Sequence, residues 1–152
     1  MKVTKVHNAR KLTVENPTLV MLDASLKELV LAVTENPKTR SIYVVDKNQK
    51  LIGIITAKNL VKVVFPYFIN IDEAPSFRTY QRLLATSVKD IMYPNTVFVK
   101  DDDNLESALD KMYENDLEEI PVVNNNMKVI GELNLLELLT AWLEKAIIHS
   151  KE

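Results

Sequence analysis

The sequence has 152 residues, of which 47% are hydrophobic and 26% are charged, and its formal net charge at pH 7 is −2. This composition is typical of a folded globular protein and excludes a disordered chain, while the charge argues against general nucleic-acid binding. Cysteine is absent and only two glycines are present, which excludes disulfides, thiolate chemistry and glycine-rich phosphate loops.

The first half of the sequence contains four predicted elements in a row. Residues 19–22 form a short apolar run that is typical of a strand. Ser25 and Glu28 have the spacing of a capping box, and the apolar residues that follow them have the period of an amphipathic helix. Residues 42–53 predict a β-hairpin, and a second helix is predicted to begin near Thr56.

The same pattern recurs 78 residues later without a gap. Residues 97–99 are again a short apolar run, and Asp103 and Glu106 again have capping-box spacing. Residues 120–131 align with the first hairpin, and a helix is predicted to begin near Asn134. Each unit therefore has the order strand, helix, strand, strand, helix, and repetition on this scale indicates a duplicated fold.

Gly53 and Gly131 fall in register in the two copies, and residues 3–6 align with residues 88–91 at the copies' starts. The strand pair, the glycine and the hydroxyl or amide that follows resemble a tandem CBS domain pair, also called a Bateman module. The resemblance covers roughly residues 3–145. It implies an α/β (α+β) fold of two β-α-β-β-α repeats packed as a pseudo-two-fold pair.

The boundaries of the repeats follow from the same alignment. The first CBS repeat would span residues 1–62 and the second residues 88–148. A linker at residues 63–87 would join them, with a helix from about residue 76 to residue 84.

The turn after Gly53 contains the candidate site, and its predicted residues are Ile55, Thr56, Lys58 and Asn59. A strand ends at Ile55 and a helix begins near Thr56, so the first helical N–H groups lack partners and favour an anion. Thr56 offers a hydroxyl, Lys58 offers a charge, and the amide of Asn59 can donate to and accept from ribose hydroxyls. A plain helix cap at Thr56 is the alternative explanation.

The resemblance gives this turn a ligand. In CBS pairs the hydroxyl lies near the phosphate of an adenosine nucleotide and an acidic residue holds the ribose, in the cleft between the repeats. An AMP-, ADP- or ATP-like ligand is therefore implied, with Asn59 in place of the usual aspartate. The adenine would lie near the start of the strand after the first helix, at Arg40, Ser41, Ile42 and Tyr43. Ile42 is equally well explained as a core residue, and Arg40 as a side chain whose stem covers a surface.

The second repeat departs from this pattern. Asn134 takes the hydroxyl position and Glu137 the acid position, and together they form a capping pair that needs no ligand. Several neighbouring carboxylates would repel a phosphate. We expect this second site to be weak, lost or adapted to a less anionic ligand, and its residues would be Asn134, Glu137, Glu119, Ile120 and Pro121.

The expected function is that of a non-enzymatic regulatory or sensor module that binds an adenine nucleotide and acts on a separate, unidentified effector protein. No cofactor and no metal is expected, since cysteine is absent and only two histidines are present. Two alternatives remain open: a structural or interaction protein with vestigial sites, and a binder of a less anionic adenosyl ligand such as S-adenosylmethionine. The apolar stripe at residues 135–148 is wider than one packing face needs, which suggests a second packing partner. CBS pairs commonly dimerise through their helices, so the resemblance implies a homodimer.

The sequence also indicates a cellular compartment and an uneven distribution of charge. No apolar run approaches the roughly 20 residues of a membrane-spanning helix, so we expect a cytoplasmic protein without membrane partners. Basic residues outnumber acidic ones in the first half of the sequence, and acidic residues predominate in the second. This difference is chance variation on solvated surfaces, or it indicates a basic half that holds an anion, or two halves that attract each other.

Overall fold

The computed structural model describes residues 5–12, 16–65, 76–94 and 97–150. Its helices and strands are, in chain order, α1 (Val6–Arg10), β1 (Thr18–Met21), α2 (Leu26–Glu35), β2 (Ser41–Val45), β3 (Leu51–Thr56), α3 (Ala57–Val64), α4 (Phe77–Ala85), α5 (Val88–Ile91), α6 (Leu105–Glu114), β4 (Glu119–Val123), β5 (Val129–Asn134) and α7 (Leu135–Ser150). They form two compact units. The terminal unit comprises Met1–Pro17 with Val97–Glu152, and the central unit comprises Thr18–Thr96.

The central unit contains a three-stranded sheet in the order β1-β2-β3. β1 is parallel to β2, and β2 is antiparallel to β3. The capping box of Ser25 and Glu28 at the start of α2 is confirmed, as is a helix in the linker, α4, which packs against α2. The core is formed by buried apolar side chains from the helices and strands, among them Leu26, Leu29, Ile42, Val44, Ile55, Leu60 and Val88.

The terminal unit contains the antiparallel pair β4-β5. The predicted strand at residues 97–99 is reduced to one parallel bridge between Val99 and Val122. The Val99 N–H donates to the carbonyl of Pro121 at 3.1 Å, and its carbonyl accepts from Val123 at 2.9 Å. With this bridge as its first strand, the second copy has the same element order as the first, so the α/β class of two β-α-β-β-α repeats is confirmed.

Helix α6 of the second repeat begins one residue later than the capping-box interpretation requires. Asn104 is the N-cap residue of α6, and its side chain makes no capping hydrogen bond. The Asp103 carboxylate accepts instead from the N–H of Lys100 at 2.9 Å. The interpretation of Asp103 and Glu106 as a capping box is wrong because the aspartate closes the preceding turn.

The starts of the two repeats pack into the compact units in exchanged order. Val6 of α1 is fully buried in the core of the terminal unit, and Val88 of α5 is fully buried in the core of the central unit. The residues before these valines form isolated β-bridges to helix caps of the same unit. Lys5 bridges to Asn104, which precedes α6, and Ser87 bridges to Ser25, which precedes α2. Val6 therefore corresponds to Val88, and the alignment of the repeat starts made from the sequence is shifted by three residues. The compact units consequently divide the chain differently from the sequence repeats.

Each glycine makes room for the residue four positions after one of these valines. A Cβ on Gly53 would lie 2.5 Å from the Sδ of Met92, and a Cβ on Gly131 would lie 3.2 Å from the Cδ of Arg10. Neither glycine has a positive φ, so both are explained by close approach and not by backbone conformation. The glycines mark the points at which the exchanged segments cross β3 and β5.

Arg10 is held over its glycine by Asp101. Its Nε and Nη2 donate to the two carboxylate oxygens at 2.5 and 2.8 Å. These hydrogen bonds lower the pKa of Asp101 from its ordinary value, because they stabilise the charged form. The backbone N–H of His7 also donates to the Asp101 carbonyl at 3.0 Å. Asp101 alone therefore binds both a side chain and a backbone N–H of α1.

The two hairpin turns use side chains where glycine is common. Asp46 Oδ1 accepts from the N–H groups two and four residues further on at 2.8 and 3.0 Å. Asn124 repeats both bonds at 2.9 and 3.0 Å. Gln49 and Met127 each adopt a φ of 63°, in the left-handed region that favours glycine. The chain therefore builds left-handed turns with Asp and Asn side chains in support.

We expect Gly53→Ala to destabilise the protein by about 1–3 kcal/mol, because the new methyl group collides with Met92. Met92→Ala removes the colliding sulfur, so the double variant should recover most of that loss. Urea denaturation measures the free energies of unfolding, and strictly additive effects would contradict the contact. Gly131→Ala is the matched control, because its methyl group meets the flexible side chain of Arg10 and should cost less.

Candidate functional site

The candidate site begins where β3 passes into α3. Thr56 is the N-cap residue of α3, with extended backbone, and its Oγ1 accepts from the N–H of Asn59 at 3.2 Å. The predicted strand-to-helix junction and the capping role of Thr56 are therefore confirmed. The first turn of α3 contains no acidic residue, so the positive end of the helix dipole is not offset by a carboxylate there.

The start of β2 lies beside this junction. Ser41 pairs with Thr56 across the sheet, and the N–H of Ala57 donates to the carbonyl of Arg40 at 2.9 Å. Ser41 is buried, and Arg40 is exposed. The structure therefore brings Arg40, Ser41, Thr56 and the first turn of α3 to one end of the hairpin.

Two basic side chains border this end of the hairpin. The Nη1 of Arg40 donates to the carbonyls of Pro37 and Thr39 at 3.2 and 3.3 Å, which holds the guanidinium near the start of β2. Lys58 is exposed in the first turn of α3, and Asn59 is half-buried beside it. The hairpin end thus combines hydroxyls, an amide and two positive charges.

Two threonines that sequence reasoning missed lie at the same edge. The hydroxyls of Thr18 and Thr39 are hydrogen-bonded at 2.8 Å. Thr39 directly precedes Arg40 and is buried, whereas Thr18 begins β1 and pairs with Ile42. The signal that could have found Thr18 was the start of β1. The sequence analysis began this strand at residue 19, but the strand begins at Thr18, and this places a hydroxyl at the edge where the parallel strands β1 and β2 begin.

Three residues assigned to the site by resemblance have their side chains in the interior. Ile42 and Ile55 belong to the core cluster of the central unit, and Tyr43 is fully buried. A contact from Ile42 or Ile55 to a ligand would therefore involve the backbone. Their assignment to the site stays a prediction.

The terminal unit repeats the backbone arrangement with different side chains. Glu119 pairs with Asn134 across β4 and β5, and the N–H of Leu135 donates to the carbonyl of Glu118 at 3.0 Å. Asn134 caps α7, because its Oδ1 accepts from the N–H groups of Leu136 and Glu137 at 3.0 and 3.2 Å. The capping interpretation of Asn134 is confirmed.

Glu119 is the unusual residue of this second hairpin end. Only 1% of its surface is exposed, and its Oε1 accepts from the Nδ2 of Asn134 at 2.9 Å. The neighbouring Ile120 and Pro121 are buried too, and so is Glu132. The Asn134 side chain therefore joins a buried carboxyl group to the N-terminus of α7.

The charges at the two hairpin ends are opposite. The central unit has Arg40, Ser41, Thr56, Lys58 and Asn59 at its hairpin end. The terminal unit has, at the corresponding positions, Glu118, Glu119, Asn134, Leu136 and Glu137. A phosphate is attracted to the first set and repelled by the second. Two of the basic residues of the first half of the sequence, Arg40 and Lys58, thus lie at the hairpin end of the central unit.

Within the described ranges, no group of three or more His, Asp or Glu residues could hold a metal ion. None of the described helices is both long and apolar enough to span a bilayer.

Comparison with known proteins identifies the family. The family model of the CBS domain matches residues 9–66 and 88–144, more than half of the chain in two copies. The chain belongs to the CBS domain family and is a tandem CBS pair.

Relatives cover the chain almost end to end. It is similar to a CBS domain-containing protein of Thermotoga maritima, with 35% identity, a TM-score of 0.75 and coverage of 95% of this chain and 97% of that one. It is also similar to CBSX2 of Arabidopsis thaliana, solved in complex with AMP, with 24% identity, a TM-score of 0.67 and coverage of 86% and 90%. Inosine-5'-monophosphate dehydrogenase of Methanocaldococcus jannaschii is 28% identical over 138 residues, which are 91% of this chain and 24% of the enzyme. The chain thus spans about a quarter of that enzyme's length.

Asn134→Ala should destabilise the protein by about 2–4 kcal/mol, because it removes the cap of α7 together with a donor to the buried Glu119. Thr56→Ala removes only a cap and should cost about 1 kcal/mol. Chemical denaturation of both variants gives the comparison. The cost of Asn134→Ala should shrink in a Glu119→Gln background, and equal costs for Asn134→Ala and Thr56→Ala would contradict the role of the pair.

Proposed function

We propose that the chain is a non-enzymatic regulatory module that binds an adenine nucleotide at the hairpin end of the central unit. The observation that supports this most directly is the set of hydroxyl and basic side chains around the N-terminus of α3, which lacks an acidic residue in its first turn. The similarity to CBSX2, which was solved in complex with AMP, supports an adenine nucleotide as the ligand.

Each residue of this site has a role suited to its chemistry. The hydroxyl of Thr56 binds the phosphate at the N-terminus of α3, where the helix dipole favours an anion. Lys58 and Arg40 supply positive charge at the border of the site. Asn59 contacts the ribose hydroxyls through its amide, which lacks the charge of the aspartate usual in the family and so gives a weaker contact.

The output passes to a separate protein. A ligand shifts a conformational equilibrium only by the difference between its affinities for the two states. The effector therefore recognises a state of the module that the nucleotide stabilises. The chain spans only about a quarter of the inosine-5'-monophosphate dehydrogenase, so the activity of that enzyme forms no part of the proposal.

The charge at the site ranks its ligands. AMP, ADP and ATP should bind more tightly than adenosine or S-adenosylmethionine, because only the nucleotides offer a phosphate to Thr56 and Lys58. At 100 times its Kd, a ligand stabilises the fold by about 2.7 kcal/mol, which raises the Tm by roughly 5–10 °C at this chain length. A melting scan with the five compounds measures this ranking.

Variants locate the binding. Thr56→Ala should weaken AMP binding about tenfold or more in calorimetry, whereas Thr56→Ser keeps the hydroxyl and should bind normally. Lys58→Ala should weaken it several-fold, with Lys62→Ala, one turn further along α3, as the control for a distant charge. Absence of a Tm shift with every compound would instead support a structural or interaction protein with vestigial sites.

We further propose that the module is a homodimer that uses α7. Five of its apolar side chains are 46–67% exposed, namely Leu136, Leu139, Trp142, Leu143 and Ile147. Leu135 and Leu138 already pack against the core of the terminal unit, so the exposed residues form a separate apolar face. Exposed apolar area of this kind is typical of an interaction surface.

Light scattering tests the dimer. The wild-type protein should have the mass of two chains, and Leu139→Lys/Leu143→Lys should have the mass of one with little loss of secondary structure. Leu31→Lys, an exposed leucine of α2, is the matched control and should stay dimeric. A monomeric wild-type protein at high concentration would refute the proposal.

A further inference from the structure

The hairpin ends of the two units share one backbone geometry. Ser41 pairs with Thr56 as Glu119 pairs with Asn134. The N–H that opens α3 donates to the residue before Ser41 at 2.9 Å, and the N–H that opens α7 donates to the residue before Glu119 at 3.0 Å. The backbone at the proposed binding site of the central unit therefore recurs in the terminal unit, and the two hairpin ends differ in their side chains.

In the terminal unit, the side chains of Glu119 and Asn134 fill the hairpin end themselves. Glu119 lies where the central unit has the much smaller Ser41, and it is almost completely buried. Asn134 donates to Glu119 at 2.9 Å through Nδ2 and accepts from two first-turn N–H groups of α7 through Oδ1. In the central unit, the Oγ1 of Thr56 accepts from the N–H of Asn59 at 3.2 Å.

We propose that the pair Glu119–Asn134 is the specificity determinant that closes the terminal unit to phosphate-bearing ligands, so that the chain binds one equivalent of anionic nucleotide. This inference rests on the proposed function of the central unit. A unit charge about 5 Å from a phosphate, at an effective dielectric constant of about 20, changes affinity by roughly a hundredfold or more. The Asn134 side chain adds to this effect because its Nδ2 donates to Glu119 Oε1 and holds the carboxyl group at this position.

The test gives the terminal unit the side chains of the central unit. Glu119→Ser/Asn134→Thr is titrated with AMP by calorimetry beside the wild-type protein, after circular dichroism has shown that it is folded. The wild type should bind one equivalent and the variant two, with the second equivalent weaker because Glu118 and Glu137 remain. One equivalent for both proteins would overturn the inference and leave the proposed function standing.

The other outcomes separate the two proposals. Two equivalents bound by the wild type would overturn the inference while supporting nucleotide binding by the module. No binding by the wild type with one equivalent bound by the variant would support the closing role of the pair, but it would refute the site in the central unit and the expected single equivalent. No binding by either protein would refute both.

A reciprocal variant keeps the inference testable if the first one does not fold. Ser41→Glu/Thr56→Asn places the closing pair in the central unit and should weaken AMP binding about a hundredfold or more. Ser41→Gln/Thr56→Asn has the same shape without the charge and is the matched control, which should lose less affinity. Equal losses in the two variants would show that charge is not the cause and would overturn the inference.

Discussion

The contact between a strand glycine and a segment from elsewhere in the sequence is the constraint on which both units depend. Met92 lies against Gly53 in the central unit, and Arg10 lies against Gly131 in the terminal unit. A side chain at Gly53 would collide with Met92 and push its segment away from β3, whereas one at Gly131 would press on the more flexible side chain of Arg10. Close packing makes such a displacement costly. This explains why the only two glycines of the chain stand at these two positions.

The duplication separates what the fold needs from what the ligand needs. The register of each strand pair and the hydrogen bond that opens each following helix are the same in both units, because glycine, turn and apolar pattern are the same. The polar residues at the hairpin ends do not build the apolar cores. They could therefore diverge without loss of the fold, and the result is a basic end with hydroxyls in one unit and an acidic end in the other.

The sequence predicted those features whose causes are local. Hydrophobic period and capping signals gave the helices and strands of the two β-α-β-β-α copies within a few residues, and Thr56 as a helix cap, because each depends on near neighbours. They did not predict the helices α1 and α5 that precede each copy. The bridge at Val99 and the turn closed by Asp103 were missed, since tertiary pairing decides between a strand and a bridge, and an aspartate can cap a turn or a helix equally well.

The burial of Glu119 was the least predictable feature of the site. A glutamate is rarely buried without a partner, and its partner Asn134 is 15 residues away across the strand pair. Sequence reasoning recognised both residues and the acidic surroundings, but it could not pair them, because the pairing depends on the exact register of β4 and β5. The site residues themselves remain predictions for this reason: local patterns locate the junction, whereas ligand contact depends on groups brought together by the fold.

The exchange of repeat starts determines the smallest part of the chain with a complete core. A repeat cut out at residues 88–148 would lack Val6 and Ala9, which are fully buried in the core of the terminal unit. It would retain Val88, whose burial depends on the central unit. Bringing α1 to Asp101 closes a loop of about 90 residues, yet loop-closure entropy rises only slowly with length. Stability in each sequence repeat therefore depends on residues outside it, and the compact units, not the repeats, are the parts of the chain with a complete core.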